Sequence, residues 1–421
     1  MPTKISGSHV FIAGAGGVGV SGVALILQDL GVPVCGSDLR ESELTRLLSA
    51  RGVEVHDTSQ PQLAATARFV VVPAGFPCRH PEIEAAQHAG IPVHGRSAAL
   101  AKVCRQHQTT ACLSFGTLSR ARLARLWAKA FDHAGWCTGI ITDDALPHAR
   151  WGKPLCLDLD EREVWQHRDI LPAFAPPIVA ISDWEEDSLG YYGQDLDLKR
   201  FLSWCRTLAP LTVSPLPSSG PDQIDIEVWE AGRQTTYDSY GIQRIGFAST
   251  LSGITHKTDS LTPITGTHAD LTACAVAMTL YRIHGIRTPL SPLSCVGWFK
   301  PVTENHVHDI RMHPVSVRAA LRALRAATPG RAAGVVMRPF AATLHAYSLE
   351  HWHEALKEAD HVILIDPPYE GCPPEDCLEF AQGLCHRGLS VRTLTHARAR
   401  AFCQPQDAWL WVGAPDIVAM P

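Results

Sequence analysis

Along its first hundred residues the chain alternates short apolar runs with stretches whose apolar positions recur at helical spacing. The runs are HVFIAGA (9–15), VPVCGSD (32–38), RFVVVPAG (68–75) and IPVHG (91–95), with helices expected from about Val20, Glu41 and Pro81. β-Rich runs separated by helices mark a parallel sheet covered on both faces. The polar stretch CRQHQ (104–108) is the first expected boundary. Beyond it, TTACLSF (109–115) reads as a strand, LARLWAKAFDHAGW as an amphipathic helix ending at Gly135, and PPIVAISDWEEDS (176–188) as a strand with an acidic end. SPLPSSGPDQ (214–223) reads as a loop, IDIEVWEAGRQTTYDSYG (224–241) as an antiparallel hairpin, and GTHADLTACAVAMTLYRIHGI (266–286) as a helix. A second boundary is expected at RTPLSPLS (287–294). After it the alternation resumes, with RAAGVVMRPF, ADHVILIDPP, LSVRTL and DAWLWVGAPD as strands. The pattern predicts three α/β domains, at 1–105, 106–288 and 289–421.

Length agrees, because 421 residues exceed one ordinary core. With 46% apolar and 19% charged residues the composition is globular, and a net charge of −5 leaves no basic footprint, so no nucleic-acid partner is expected. No apolar run reaches the roughly 18 residues that span a bilayer. MPTKISGS has no apolar core of a signal peptide, so a cytoplasmic protein is expected. Thirteen cysteines include no C-x-x-C pair; Cys35, Cys112 and Cys274 sit singly in apolar context and read as reduced small hydrophobes. The densest histidine group, ENHVHDIRMHP (His306, His308, His313), admits a metal reading that the motifs below make the weaker one.

Gly14, Gly16 and Gly19 spell G-x-G-x-x-G, and Asp38 follows 19 residues after the last of them. Glycines allow a tight turn and let backbone N–H groups approach an anion at a helix N-terminus. On spacing alone a nicotinamide dinucleotide is favoured, with Asp38 on a ribose hydroxyl. Several nucleotide classes share such a loop, however, and no hydride-transfer pair is evident elsewhere.

GAGGVGVSGVA followed by GSDL, then VVVPAGFPCRHPEI and IPVHGRSAALAKV, resembles the N-terminal domain of the Mur ligases. The resemblance extends, weakening, over nearly the whole chain. It implies a Rossmann-like N-terminal domain, a central P-loop-type α/β domain and a Rossmann-like C-terminal α/β domain. It also implies that Gly16, Gly17, Gly19, Ser21 and Gly22 hold the diphosphate of a UDP-sugar, with Ser37 and Asp38 beside the uridine. Arg96 matches a family arginine, whereas Ala98 stands where an acidic residue is usual. The implied ligand is UDP-N-acetylmuramate or a related UDP-sugar.

The same resemblance implies an ATP loop of the form G-T-x-G-K-T/S, and here the chain departs from it. In FGTLSRAR, Gly116 and Thr117 match, but Ser119 replaces the second glycine, Arg120 the lysine and Ala121 the metal-binding hydroxyl. No realignment supplies the lysine, since none lies between Lys102 and Lys129. A side chain at the second glycine hinders backbone approach to phosphate, and a planar guanidinium does not substitute for a compact ammonium. PLCLDLDERE resembles the family's E-A-D-E-S-D and keeps Asp158, Asp160 and Glu161, with Arg162 for the serine. The acidic stretch after Ile181 keeps Glu185 and Asp187 but has Ser188 and Gly190 for a histidine and an aspartate. His268 remains, while Ala269 and Thr272 replace two asparagines. Asp309, His313 and Pro314 match a D-D-Y-G-H-H-P motif whose other positions differ, and Lys300 is the lone cation where an arginine pair is expected.

The losses fall on phosphate, metal and adenine positions. The resulting expectation is a pseudoenzyme that binds a UDP-sugar and needs no cofactor, as a precursor sensor or as partner of a true Mur ligase or other cell-wall enzyme. The alternative is a working ATP- and Mg²⁺-dependent ligase of altered mechanism. It would rely on Arg120, Asp187, His268, Asp309 and His313, with metal ligands from Asp158, Glu161, Glu185 and Asp187.

Overall fold

The computed structural model describes residues 9–73, 76–116, 120–130, 133–139, 147–182, 198–215, 223–230, 233–240, 247–251, 254–258, 299–301, 305–309, 312, 314–339, 344, 347–368, 373–413 and 417. Their strands form three sheets, the first two in one compact unit and the third in another.

The first sheet has the order β3-β2-β1-β4-β5, with β1 Val10–Ala13, β2 Val34–Ser37, β3 Glu54–His56, β4 Val70–Val71 and β5 Val93–His94. Every pairing is parallel; Ile12 stands opposite Gly36 on one side and Val71 on the other. The connecting helices are α1 Val18–Asp29, α2 Glu43–Ala50, α3 Pro61–Thr66 and α4 Pro81–His88, and α5 Arg96–Gln106 follows β5. Local chemistry fixes their starts. Ser42 and Thr45 form a reciprocal capping box at α2, and His80 caps α4 with Pro81 in its first turn. Helix α1 is buried continuously from Val20 to Leu27. A helix apolar on all sides must be enclosed; α1 packs against β1 and β2 of its own sheet and against β7 Gly135–Cys137 and β8 Ala149–Arg150 of the second.

The second sheet runs β15-β14-β13-β12-β11-β10-β6-β9-β7-β8. Its parallel middle is β6 Ala111–Phe115, β9 Leu155–Asp158, β10 Ile178–Ile181 and β11 Leu211–Pro215 with β7. An antiparallel meander, β12 Gln223–Glu230, β13 Arg233–Tyr240, β14 Phe247–Leu251 and β15 Ile254–Thr258, extends one edge. Helices α6 Arg120–Ala130, α7 Glu161–Gln166 and α8 Leu198–Leu208 accompany the parallel part.

Several boundaries differ from those expected. The polar break at Cys104–Gln108 holds the end of α5 and the exit toward β6 of the second sheet, while other element limits shift. Helix α6 ends at Ala130, and Gly135, expected to close it, opens β7. There a Cβ would collide with Gly152 N, so the glycine permits a close backbone crossing. Ser214, Pro215 and Gln223 belong to strands instead of the expected loop. Strand β9 was hidden inside the acidic motif. The expected helix at 266–286 and the boundary at 287–294 lie outside the described residues.

The other unit carries the sheet β16-β17-β21-β18-β19-β20: β16 Phe299–Pro301, β17 His306–Asp309, β18 Ala333–Met337, β19 His361–Ile365, β20 Val391–Leu394 and β21 Ala408–Val412. All its pairings are parallel except β16 with β17. Its core gathers Val335, Leu364 and Leu410 from the strands with Leu321 of α9 Pro314–Ala327, Trp352 of α10 Leu349–Leu356 and Leu384 of α11 Pro374–His386. Among the described residues no helix is long and apolar enough to cross a membrane.

Candidate functional site

The glycine turn joins β1 to α1 at the carboxyl ends of the first sheet's strands, where open α/β sheets bind ligands. Gly14 sits at φ +65°, a left-handed conformation that glycine adopts freely. The Gly17 N–H donates to Gly14 O at 2.9 Å, and Gly16 N–H donates to Asp38 Oδ2 at 2.8 Å. Asp38 Oδ1 accepts from Arg40 N–H at 3.0 Å, so the carboxylate ties the end of β2 to the loop. A Cβ on Gly16 would lie 2.8 Å from Asp38 Oδ2, which leaves room for glycine alone. Ser37 is buried, and its carbonyl accepts from Ala15 N–H at 2.9 Å. Helix α1 has no side-chain cap and no acidic residue in its first turn, so its positive end is left to an anion.

Ser21, Gly22 and Arg96, expected at the ligand, lie in the seam between the two sheets of this unit. Ser21 is fully buried, donates to Val18 O at 3.0 Å and lies 3.0 Å from His148 Nε2. His148 Nε2 is also 2.9 Å from Val18 O, which fits an Nε2–H tautomer. Burial pushes the His148 imidazole down to about 4, since its buried Nδ1 has no hydrogen-bond partner to receive a second proton. A Cβ on Gly22 would approach Cys137 Sγ to 2.8 Å, and one on Gly19 would approach Arg96 Cδ to 3.1 Å. Arg96 donates to Asp158 O at 2.6 Å, to Asp158 Oδ1 at 2.8 Å and to Cys137 O at 2.8 Å. Beside it Ser97 Oγ–H donates to Glu163 Oε2 at 2.7 Å. His148 and Cys137 carry no local sequence signal; only their packing on α1 reveals them.

The second cluster lies where β6 gives way to α6. Gly116 is at φ +139°, and its N–H donates to Glu161 Oε1. Arg120, at the start of α6, turns back onto the acidic end of β9. Its guanidinium is 3.3 Å from Glu161 Oε2, 3.5 Å from Asp160 Oδ2 and 3.8 Å from Asp158 Oδ2, and it donates to Gly116 O at 3.2 Å. Ala121 is buried. Glu161 is fully buried; burial raises its carboxyl to about 7 although Arg120 opposes the shift. A divalent ion requires several oxygens that face it. Here Asp158 and Glu161 face guanidinium groups, and among the described residues no group of three His, Cys, Asp or Glu side chains could hold a metal. Among the described residues the carboxylates at the end of β9 are thus paired with guanidinium groups.

Thr117, Ser119, Glu185, Asp187, His268 and His313 lie outside the described residues, and of Asp309 only the strand position in β17 is described. His308 is buried with Nε2 2.8 Å from Gly413 O, while His306 stacks on Trp411, so both meet β21 or the residue that follows it. The ten described cysteines are all free.

Residues 9–108, which hold the whole glycine loop, match the family described as Mur ligase family, catalytic domain. The chain carries a Mur ligase family domain. Beyond that domain the likeness to Mur ligases spans the chain. It is 26% identical to a UDP-N-acetylmuramate–L-alanine ligase of Chloroflexus aggregans, covering 97% of this chain and 96% of the relative. A ligase of the same name from Thiobacillus denitrificans is 25% identical over 85% of this chain and 83% of its own. The fold is similar to that of the solved UDP-N-acetylmuramate–alanine ligase of Thermotoga maritima, with TM-score 0.66 at 17% identity over 97% of this chain and 96% of that one. It is also similar to a murein peptide ligase of Psychrobacter arcticus, with TM-score 0.63 at 13% identity over 98% and 97%. The multi-domain α/β Mur ligase architecture is thus present.

Proposed function

We propose that this Mur ligase family protein acts in peptidoglycan precursor metabolism by binding UDP-N-acetylmuramate or a closely related UDP-sugar, without ATP-dependent ligation. The glycine loop supports the first half. Asp38 fixes Gly16, and the positive end of α1 is left for a diphosphate.

The second half rests on one observation: the guanidinium of Arg120 lies among Asp158, Asp160 and Glu161. Ligation through an acyl phosphate depends on positive charge aimed at the transferring phosphoryl group. Here the loop's cation is turned onto carboxylates, and the Gly116 N–H is given to Glu161. A binding protein of this kind would serve as a precursor sensor or as a partner of a true Mur ligase or other cell-wall enzyme.

The full-length likeness to proteins named as ligases favours a second reading, an active ATP-dependent ligase in which Arg120 swings out to a nucleotide. Paired calorimetric titrations separate the two. UDP-N-acetylmuramate is expected to bind and Mg²⁺-ATP is not. Binding of Mg²⁺-ATP, followed by amino-acid-dependent phosphate release, would establish the ligase. Failure of both ligands to bind would remove the proposal.

A further inference from the structure

His148 immediately precedes β8 of the second sheet, yet its imidazole ends on the first turn of α1. Thr138 anchors the backbone there: its N–H and its Oγ–H both donate to His148 O, each at 3.1 Å. From that anchor the ring crosses the seam, and Nε2 lies 2.9 Å from Val18 O and 3.0 Å from Ser21 Oγ. Ser21 Oγ–H in turn donates to Val18 O at 3.0 Å. Both side chains are withdrawn from water, His148 at 1% exposure and Ser21 at 0%. The Val18 carbonyl therefore receives two side-chain donors, one of them from a residue 130 positions away.

That carbonyl matters because Val18 C=O and Gly19 N–H belong to one planar peptide group. With Gly17 as N-cap, the N–H groups of Val18, Gly19 and Val20 have no partner within the helix. They are the donors that an anion at this helix end would use. Hydrogen bonds to the carbonyl hold the plane of the peptide and polarise the N–H on its other side. No side chain caps α1, so the aim of these donors depends on what grips the first turn from behind.

We infer that His148 is a positioning residue for anion binding at the glycine loop, through which the second sheet contributes to a site carried by the first. The inference rests on the reading that this loop holds the diphosphate of a UDP-sugar. His148 touches no ligand; it acts through Val18 and Ser21.

Calorimetric titration of UDP-N-acetylmuramate into full-length variants tests it. The side-chain amide N–H of Gln reaches the place of Nε2, whereas that of Asn reaches the place of Nδ1. His148→Ala and His148→Asn are expected to bind about tenfold more weakly, and His148→Gln within about twofold of wild type. Leu211→Ala truncates the core at β11, which β10, β6 and β9 separate from β7. It is expected to unfold at lower temperature yet bind as the wild type does. Wild-type affinity in His148→Ala and His148→Asn would overturn the inference. So would His148→Gln binding as weakly as the other two, or Leu211→Ala losing as much affinity. If His148→Ala and His148→Asn do not fold, His148→Gln decides: affinity near wild type supports the positioning role, and a clear loss overturns it. Failure of the wild-type protein to bind at all would instead end the reading of the loop, and this inference with it.

Discussion

A Cβ atom on Gly22 would lie 2.8 Å from Cys137 Sγ. Helix α1 therefore meets β7 through a glycine, and the close approach brings His148 within reach of Ser21 and Val18. Gly22→Ala is expected to cost about 1–3 kcal/mol, the usual penalty for overpacking. Cys137→Ala removes the obstructing sulfur, so the double variant is expected to recover part of that loss. Urea unfolding of the two single variants and the double one checks this; additive losses would mean that the two residues do not share the seam.

The bond from Gly16 N–H to Asp38 Oδ2 makes a different prediction. A hydrogen bond to a charged acceptor contributes about 1.5–3 kcal/mol. If the loop must be fixed to hold a diphosphate, Asp38→Ala is expected to weaken UDP-N-acetylmuramate binding about ten- to hundredfold, with Asp38→Asn in between. Calorimetry measures it directly. Wild-type affinity in Asp38→Ala would show that this carboxylate does not organise the site.

Four strands of the first sheet, β1, β2, β4 and β5, and the last four of the third were legible in sequence as apolar runs, whereas the short, half-exposed β3 was not. Strand β9 was not, since an acidic motif covered its apolar run Leu155–Leu157. The glycine loop and Asp38 could be recognised from spacing. The direction of Asp38, toward Gly16, could not, because it depends on how β2 is set beside β1. Ser21, Gly22 and Arg96 also pack against residues 41 to 127 positions away, a relation that carries no local pattern. The Arg120 substitution was plain, but not that its guanidinium turns back on the acidic stretch.

If three side chains in the second loop are what prevent nucleotide binding, restoring them together should reverse it. The triple variant Ser119→Gly, Arg120→Lys, Ala121→Thr returns the glycine, the ammonium and the metal-reaching hydroxyl. It is expected to gain calorimetrically detectable Mg²⁺-ATP binding that the parent lacks. Arg120→Lys alone is expected to gain none, since Ser119 still hinders the backbone and Ala121 offers no oxygen. Mg²⁺-ATP binding by the parent itself would instead locate the family's nucleotide chemistry in this chain as it stands.

His148 and Glu161 titrate in opposite senses over nearly the same pH range. The His148 imidazole is held down to about 4 from 6.5, so the unfolded chain binds the extra proton first, and stability is lost as pH falls from 6.5 toward 4. The Glu161 carboxyl is raised from 4.5 to about 7, so the folded chain keeps its proton longer, and stability is lost as pH rises from 4.5 through 7. Each shift corresponds to about 3 kcal/mol at most, and between pH 4.5 and 6.5 the two slopes oppose each other. Removing either group should expose the other. Relative to wild type, Glu161→Gln is expected to gain stability progressively as pH rises from 4.5 to 7, while His148→Gln gains it as pH falls from 6.5 to 4. Denaturant unfolding across pH 4–8 gives both difference curves. A flat difference for Glu161→Gln would show that Arg120 and Gly116 hold that carboxylate ionised despite its burial.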